Sequence, residues 1–177
     1  MDRTGIGLIG YGYWGPNVAR KIEQNRNFSF RYICDLAEER LEKARQLYRE
    51  QLSYTGDYHD LLQDESVQAV AIAVNTESHY QIAKDALQAG KHVYIEKPFT
   101  STSGQGKELQ RLAEEKGILI RPACGKQADR NFGRSRQAVE YGVNGWMFCE
   151  NGIKALFMKE GRKIWKSLVF LIGLRLI

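Results

Sequence analysis

Apolar runs alternate with amphipathic stretches over the first 121 residues of the chain. Continuous apolar segments such as Ile6–Ile9 and Val67–Val74 are typical of strands that are buried on both faces of a sheet. Apolar residues with helical spacing and charged residues between them predict a helix over residues 36–50. In order, the pattern predicts strands at Ile6–Ile9, Phe28–Cys34, Ser53–Thr55, Val67–Val74, Lys91–Ile95 and Ile118–Ile120, and helices after Pro16, over 36–50, from Asp57 to Leu62, from Glu77 to Ala89 and from Lys107 to Lys116.

Residues with known preferences for helix ends support these elements. Asp57, Thr76 and Thr102 are expected to be N-caps, because their side-chain oxygens can accept hydrogen bonds from the first free amide groups of a helix. Gly90 and Gly117 follow predicted helices, where glycine commonly ends them. Strands and helices therefore alternate regularly up to the end of the last predicted strand.

This alternation predicts an α/β fold, a Rossmann-type doubly wound parallel sheet over residues 1–121. Residues 122–177 are weakly patterned, and we expect a short basic tail with helical character over Ile153–Ile164. The 177 residues suffice for one sizeable core and are few for two full domains.

A glycine-rich stretch follows the first predicted strand and precedes the first helix. The residues are Gly10, Tyr11, Gly12, Tyr13, Trp14 and Gly15. In this G-x-G-x-x-G pattern the glycines allow a tight turn, a close approach of pyrophosphate and close packing of helix on strand. The free amides of the following helix turn favour an anion. The stretch predicts a dinucleotide site, and residues 1–121 are therefore expected to be a dinucleotide-binding domain. Tyr13 and Trp14 either flank the cofactor or are partly exposed packing residues.

Asp35 stands at the end of the second predicted strand, twenty-five residues after Gly10. An acidic residue at this place can bind the adenosine ribose hydroxyls, and its charge would repel a 2′-phosphate. The sequence therefore favours NAD as the cofactor, although Arg31 and Arg40 are close enough in sequence to leave NADP open. The alternative is that Asp35 only caps the next helix.

Further polar residues follow the fourth and fifth predicted strands. Because ligands bind beyond the carboxyl ends of parallel strands, these residues are expected to meet the glycine stretch and Asp35 in one crevice. They are Asn75, Thr76, Glu96, Lys97 and Pro98.

Composition narrows the class of protein. The 43% hydrophobic and 27% charged residues are ordinary for a globular protein. Three cysteines, Cys34, Cys124 and Cys149, are odd in number and widely spaced, which favours reduced thiols and a cytoplasmic location over a disulfide framework or a metal site. Residues 1–120 have a net charge of −2 and residues 121–177 a net charge of +7. Since no nucleic-acid motif accompanies this charge, we expect a solvated basic tail and no nucleic-acid partner.

The stretch Gly5–Asn17 resembles the opening of the Gfo/Idh/MocA family, the glucose–fructose oxidoreductase and inositol dehydrogenase type of enzyme. Ser78-His79, the segment Ala89–Val93 and above all Glu96-Lys97-Pro98 add to the resemblance. It covers residues 4–120. The Tyr-Trp-Gly-Pro-Asn variant is most similar to members that act on nucleotide sugars.

The resemblance implies an NAD(P)-dependent oxidoreductase that moves a hydride at a CH–OH group of a sugar, polyol or nucleotide sugar. Lys97 matches the catalytic lysine of the family, whose ammonium group would bind the reacting oxygen; on its own it would be a surface lysine before a turn. Glu96 and Pro98 would fix the loop, with a cis Lys-Pro bond. His79 would lie on the cofactor side, although a lone histidine is more often structural, as we expect for His59 and His92.

The chain departs from the family pattern after Ile120. Members continue with a large α/β substrate domain that usually carries a catalytic histidine, and this sequence has no histidine after His92. We therefore expect a nucleotide-binding half, truncated relative to the family, whose turnover needs a partner chain or a homo-oligomer. No metal ligands are expected.

Residues 122–177 leave two other hypotheses open. The chain could be a non-catalytic binding module whose apolar segment Ile164–Ile177 docks on the sheet, a partner or a membrane surface, since that segment is too short and too charged to span a bilayer. Residues 133–146 also faintly resemble the donor-site region of GT-B glycosyltransferases, which would make the tail a glycosyltransferase remnant.

Overall fold

The computed structural model describes residues 3–48 and 51–123. In this part of the chain, six strands form one parallel sheet in the order β3-β2-β1-β4-β5-β6, and five helices connect them. The strands are β1 (Thr4–Ile9), β2 (Phe28–Cys34), β3 (Ser53–Thr55), β4 (Ala69–Ile72), β5 (His92–Ile95) and β6 (Ile120–Pro122). The helices are α1 (Gly15–Gln24), α2 (Glu38–Tyr48), α3 (Tyr58–Gln63), α4 (Thr76–Gln88) and α5 (Ser103–Lys116).

The predicted Rossmann-type fold is confirmed. Successive strands move outward from β1 to β3, after which the chain returns to the other side of β1 and continues from β4 to β6. The reversal places the topological switch point between β1 and β4, where doubly wound sheets bind their ligands. Predictions that concern residues 124–177, including Cys124, Cys149 and the apolar segment, lie outside the described residues.

Helices cover both faces of the sheet and create two apolar clusters. One cluster joins the inner faces of α3, α4 and α5 to the sheet through residues such as Leu61, Leu87 and Leu109. The other joins α1 and α2 to the opposite face through residues such as Ile22 and Leu41. Burial on both faces explains why β1 and β4 read as continuous apolar runs in the sequence.

Two helix starts differ from the prediction. The N-cap of α4 is Asn75, which has an extended backbone, and Thr76 is already the first helical residue. Helix α5 begins at Ser103, four residues before the predicted start, because Thr102 caps it by accepting a hydrogen bond from the amide of Gln105. A capping residue therefore located the start of α5 better than the pattern of apolar residues.

The apolar face of α2 is narrower than predicted. Leu41 and Ala44 are buried, whereas Leu47 is 70% exposed. Leu36 precedes the helix and is 94% exposed.

Two strands have other boundaries than predicted. Strand β4 is confined to Ala69–Ile72. Strand β6 begins at Ile120, where the predicted strand ended, because the amide of Ile118 donates to a carbonyl of α5.

Lys91 fixes the end of the sheet where β4 and β5 begin. Only 8% of the residue is exposed, and its Nζ donates to the carbonyl oxygens of Asp64 (2.8 Å) and Val67 (2.7 Å). Burial lowers the pKa of this ammonium group, while the charge of Asp64 acts in the opposite direction. The lysine supplies donors to a turn that precedes β4.

We expect Lys91→Met to lower the free energy of unfolding by about 2–4 kcal/mol, because two charge-assisted hydrogen bonds to backbone carbonyls are lost. Urea unfolding followed by circular dichroism measures the change. Lys107→Met, at an exposed position of α5, is the matched control and should stay within about 0.5 kcal/mol of the wild type. Equal stability of the two variants would show that Lys91 does not support the turn.

None of the helices in the described part of the chain is both long and apolar enough to cross a membrane.

Candidate functional site

The carboxyl ends of the strands form one continuous hydrogen-bonded edge. After five of the six strands, the next residue donates its amide to the last residue of the neighbouring strand: Gly10 to Cys34 (2.7 Å), Asp35 to Thr55 (3.2 Å), Ala73 to Ile9 (2.8 Å), Glu96 to Ile72 (2.9 Å) and Ala123 to Ile95 (2.7 Å). The loops after β1, β4 and β5 therefore lie side by side. Since neighbouring strands are separated by about 4.8 Å, the loops after β1 and β5 start about 10 Å apart at one edge.

Two of the three motif glycines are required by the fold itself. Gly10 has φ +97°, and a Cβ there would lie 2.6 Å from the carbonyl oxygen of Ala73. A Cβ on Gly15 would lie 2.5 Å from the carbonyl oxygen of Gly10. These glycines provide the tight turn and the close helix–strand packing that the sequence predicts.

Gly12 has a different environment. A Cβ at this position would meet only the guanidinium group of Arg40, at the ordinary contact distance of 3.6 Å. The described protein therefore offers no steric reason for a glycine, and the free space above its Cα is a cradle that a side chain would fill. A pyrophosphate that approaches the loop requires this space, so the residues present fit a dinucleotide.

The same loop carries backbone donors. Among the described residues, the amide groups of Gly12, Tyr13 and Trp14 have no hydrogen-bond acceptor, and helix α1 begins directly after them. Tyr13 is 97% exposed and Trp14 47% exposed, so neither side chain is a core packing residue. The loop presents free N–H groups and two exposed rings at a helix N-terminus, an arrangement that suits an anionic, partly aromatic ligand.

Tyr11 points the other way. The residue is 5% exposed, it belongs to the cluster beneath α1 and α2, and its hydroxyl lies beside that of Tyr48. Burial raises the pKa of the Tyr11 hydroxyl, and burial likewise raises the pKa of Tyr48 to about 12. Both phenols stay neutral at physiological pH, so the contribution of Tyr11 to the loop is through its backbone.

Asp35 is a buried carboxylate with partners on both oxygens. Oδ2 accepts the amide of Tyr11 (2.7 Å) and Oδ1 accepts the amide of Ala37 (2.9 Å). Arg40 Nη1 lies 3.3 Å from Oδ1 and 3.4 Å from Oδ2. Asp35 thus holds the glycine loop and turns the chain toward α2. These contacts use the four acceptor positions of the carboxylate, so a further donor would take the place of Arg40.

Arg40 and Leu36 lie next to Asp35, at the acidic end of the candidate site. The side chain of Arg40 is 52% exposed and pairs with an Asp35 side chain that is only 4% exposed. Leu36 is exposed directly after Asp35. From the sequence, Arg40 was expected to leave NADP open, and Leu36 was assigned to a helix face. The exposure of Leu36 could have been inferred from its place immediately after an acidic residue at the end of a strand.

Cys34 precedes Asp35 and is buried. Burial, followed by the negative charges of Asp35, Asp57 and Asp60, raises the pKa of its thiol to about 12. The thiol is therefore protonated at neutral pH and supplies no nucleophile at this edge.

The loop after β5 carries Glu96, Lys97 and Pro98. Glu96 is oriented by the hydroxyl of Tyr94, which donates to Oε1 (2.9 Å), and its Oε2 lies 3.4 Å from the amide nitrogen of Lys97. The Lys97–Pro98 bond is cis, as the family resemblance implies. Lys97 and Pro98 are exposed, whereas the next residue, Phe99, is 5% exposed and anchors the loop in the core. The ammonium group of Lys97 is free to reach a ligand at this edge.

The loop after β4 lies between the two others. Asn75 is exposed and its Oδ1 accepts a hydrogen bond from Ser78 Oγ (2.8 Å), while Thr76 opens α4. His79 is 1% exposed, and its ring nitrogens contact the carbonyl oxygens of Pro98 and Val74. Its ring has no nitrogen left for a cofactor.

The structure thus brings the loops of Gly12, Asp35, Asn75 and Lys97 to one edge of the sheet. The other two histidines lie elsewhere. His59 is exposed on α3 beside Asp57, and His92 opens β5 at the opposite edge, where it accepts the amide of Leu119 (3.0 Å). No group of three or more potential metal ligands occurs within residues 3–48 and 51–123.

A six-stranded sheet of this order, with a glycine turn at its switch point and an acidic residue after β2, defines a dinucleotide-binding α/β domain. The model of the GFO_IDH_MocA family, described as an oxidoreductase family with an NAD-binding Rossmann fold, matches residues 4–123. The chain belongs to this family, and the described part of the chain is its NAD-binding domain.

Two curated relatives show the extent of the similarity. The uncharacterized oxidoreductase YhhX of Escherichia coli K12 is 39% identical over 94 residues, which are 53% of this chain and 27% of the relative. The myo-inositol 2-dehydrogenase of Thermotoga maritima is 27% identical over 140 residues, which are 79% of this chain and 42% of the relative. The chain therefore spans less than half the length of these relatives.

A solved structure supports the same fold. KijD10, a 3-ketoreductase from Actinomadura kijaniata crystallised with TDP-benzene and NADP, superposes with a TM-score of 0.64 at 25% identity. The superposition covers 69% of this chain and 38% of KijD10.

Proposed function

We propose that the chain is the cofactor-binding part of an NAD(P)-dependent oxidoreductase that transfers a hydride at a CH–OH carbon of a sugar, polyol or nucleotide sugar. The observation that supports the proposal most strongly is that the open cradle at Gly12 and the exposed Lys97 lie at the same edge, two strands apart. The substrate class is suggested by relatives named as a myo-inositol dehydrogenase and by a ketoreductase crystallised with a TDP compound.

Each residue has a role in this proposal. The amides of Gly12–Trp14 bind the pyrophosphate, with Gly10 and Gly15 shaping the turn around them. Asn75 and Thr76 border the middle of the cleft, and Tyr13 and Trp14 flank the dinucleotide. When bound, the nicotinamide ring accepts or supplies the hydride. When the carbonyl is reduced, Lys97 would donate a proton from Nζ to the reacting oxygen, and when the CH–OH group is oxidised, the neutral amine of Lys97 would accept the hydroxyl proton. Glu96 and Pro98 keep that side chain at the strand end.

The acidic end of the cleft determines the preferred cofactor. Asp35 would accept the ribose hydroxyls, which favours NAD over NADP because a 2′-phosphate would face a buried carboxylate. Arg40 already contacts Asp35 and is half exposed, so it is placed to pair with a 2′-phosphate. We propose NAD as the main cofactor, with NADP as an accepted second one.

Titration of the full chain with NADH, followed by protein fluorescence, tests the proposal. Saturable binding below about 1 mM is expected. Absence of saturation at that concentration would refute it. A second assay follows NAD⁺ reduction at 340 nm with myo-inositol and with UDP-glucose as the two substrate probes.

Replacing Lys97 should separate binding from chemistry. We expect Lys97→Met to lower any NAD⁺-dependent turnover by at least about 100-fold, because a positioned proton acceptor contributes a factor of this size. The dissociation constant of NADH should change by less than about threefold, since the pyrophosphate amides remain. Lys107→Met is the control for an exposed lysine. If Lys97→Met keeps wild-type turnover, Lys97 is not the catalytic lysine.

The hypotheses of a docking module and of a glycosyltransferase remnant rest on residues 133–177 and stay predictions. Co-sedimentation with anionic phospholipid vesicles that is lost on deleting residues 164–177 would favour the docking module. Sugar-nucleotide binding that depends on residues 133–152 would favour the glycosyltransferase remnant.

A further inference from the structure

Arg40 lies where the acidic end of the proposed cofactor site meets the cradle at Gly12. Its Nη1 is 3.3 Å from Oδ1 and 3.4 Å from Oδ2 of Asp35. The same nitrogen lies 3.6 Å from the position that a Cβ on Gly12 would occupy, so the guanidinium group borders the pyrophosphate cradle. A cofactor that reaches from the loop amides to Asp35 therefore meets this side chain.

The ion pair with Arg40 leaves no acceptor position on Asp35 for a ribose hydroxyl. A carboxylate has about four lone-pair positions. The amides of Tyr11 and Ala37 use one on each oxygen, and Nη1 of Arg40 uses the others. The two amides belong to the backbone that Asp35 holds in place, whereas the arginine is a side chain that can rotate. Ribose hydroxyls can therefore reach Asp35 only by taking the place of Arg40.

The exposure of Arg40 permits this exchange. The Arg40 side chain is 52% exposed, although the Asp35 side chain is only 4% exposed. An ion pair that water reaches from one side is held weakly. Within the described part of the chain, Nε and Nη2 of Arg40 make no hydrogen bond. Their donors remain for a second anion while Nη1 stays on Asp35.

We propose that Arg40 is a specificity-determining residue with two positions. It leaves Asp35 when NAD binds, since the ribose hydroxyls need the acceptor positions that Nη1 occupies. It stays when NADP binds: Nη1 remains on Asp35, and Nε and Nη2 bind the 2′-phosphate, so the guanidinium group separates two negative charges. This inference rests on the proposed function. It explains how a site with a buried carboxylate after β2 accepts a phosphorylated cofactor, and it makes the same arginine a competitor of the NAD ribose.

Binding of NADH and of NADPH to the full chain, measured by isothermal titration, tests the two positions. Arg40→Gln should bind NADH about threefold more tightly than the wild type, because the charged competitor is removed. It should bind NADPH at least about tenfold more weakly, because a charged partner of the 2′-phosphate is lost. Arg45→Gln is the matched control: it removes a positive charge from the same helix, where Arg45 pairs with Glu38 and Glu42. This control should bind both cofactors as the wild type does.

The possible outcomes separate the parts of the proposal. If Arg40→Gln binds NADH no more tightly than the wild type, the displacement is overturned. If Arg45→Gln weakens NADPH as much as Arg40→Gln does, the net charge of α2 determines the affinity and the bridge to the 2′-phosphate is overturned. If the wild type binds neither cofactor, the proposed function itself fails.

Nitrogen-15 NMR of the arginine side chains observes the two positions directly. The Nε signal of Arg40 is the one that is missing from the spectrum of Arg40→Gln. In the complex with NADPH the Nε hydrogen should exchange with water more slowly than in the complex with NADH, because it is bonded to phosphate only in the former. Equal exchange rates in the two complexes would overturn the proposal.

Discussion

Alanine at position 12 is expected to weaken NADH binding about 100-fold while the stability of the fold stays close to that of the wild type. The new methyl group would touch only Arg40, at 3.6 Å, so the protein without ligand has room for it. It would occupy the space through which the pyrophosphate reaches the loop amides. Losing about two charge-assisted hydrogen bonds accounts for an effect of this size. Isothermal titration with NADH and urea unfolding measure the two quantities.

Gly15→Ala is the matched control in the same loop. Its Cβ would lie 2.5 Å from the carbonyl oxygen of Gly10, so α1 and β1 must move apart. We expect a loss of about 1–3 kcal/mol in the free energy of unfolding. If Gly12→Ala also destabilised the protein by this amount, or if it bound NADH normally, the cradle over Gly12 would not be a pyrophosphate site.

The second large effect is expected at Asp35. Asp35→Ala should lower the ratio of the NADPH to the NADH dissociation constant at least about tenfold, because the group that binds the ribose hydroxyls and repels a 2′-phosphate is removed. The ratio is the informative quantity, since Asp35 also accepts the amides of Tyr11 and Ala37. Any general disturbance of the loop affects both cofactors and cancels in the ratio.

Arg40→Gln should change the same ratio of dissociation constants in the other direction. Arg40 is the cation within 3.4 Å of both carboxylate oxygens of Asp35, and its removal should weaken NADPH more than NADH. The two variants should therefore move the ratio in opposite directions. A ratio unchanged by both would show that this end of the cleft does not contact the adenosine ribose.

Much of the fold followed from the sequence because the sheet is parallel. Buried strands such as β1 and β4 read as continuous apolar runs, and the helices between them ended at residues with strong end preferences, such as Gly117 with φ +66°. The register of neighbouring strands then placed every strand-end motif at one edge. The order of the motifs along the chain was enough to predict that they would meet.

Details that depend on tertiary contacts could not be predicted. Leu36 and Leu47 were expected on the apolar face of α2, but they are five and six residues from Leu41, which are not same-face spacings, and nothing in the described fold covers them. Asn75 and Thr76 are both acceptable caps, and only the backbone conformation decides that Asn75 is the cap. The two carbonyls around His79 come from segments nineteen and five residues away, so the sequence contained no local signal for these contacts.

The central claim is that the loop amides after β1 and the side chain of Lys97 belong to a single dinucleotide site. A crystal structure of the full chain with NADH tests it directly. The pyrophosphate should lie within hydrogen-bond distance, about 3 Å, of the amides of Gly12–Trp14, with Nζ of Lys97 on the nicotinamide side of the same cofactor. Cofactor bound away from these amides, or a Lys97 side chain that points away from the nicotinamide ring, would contradict it.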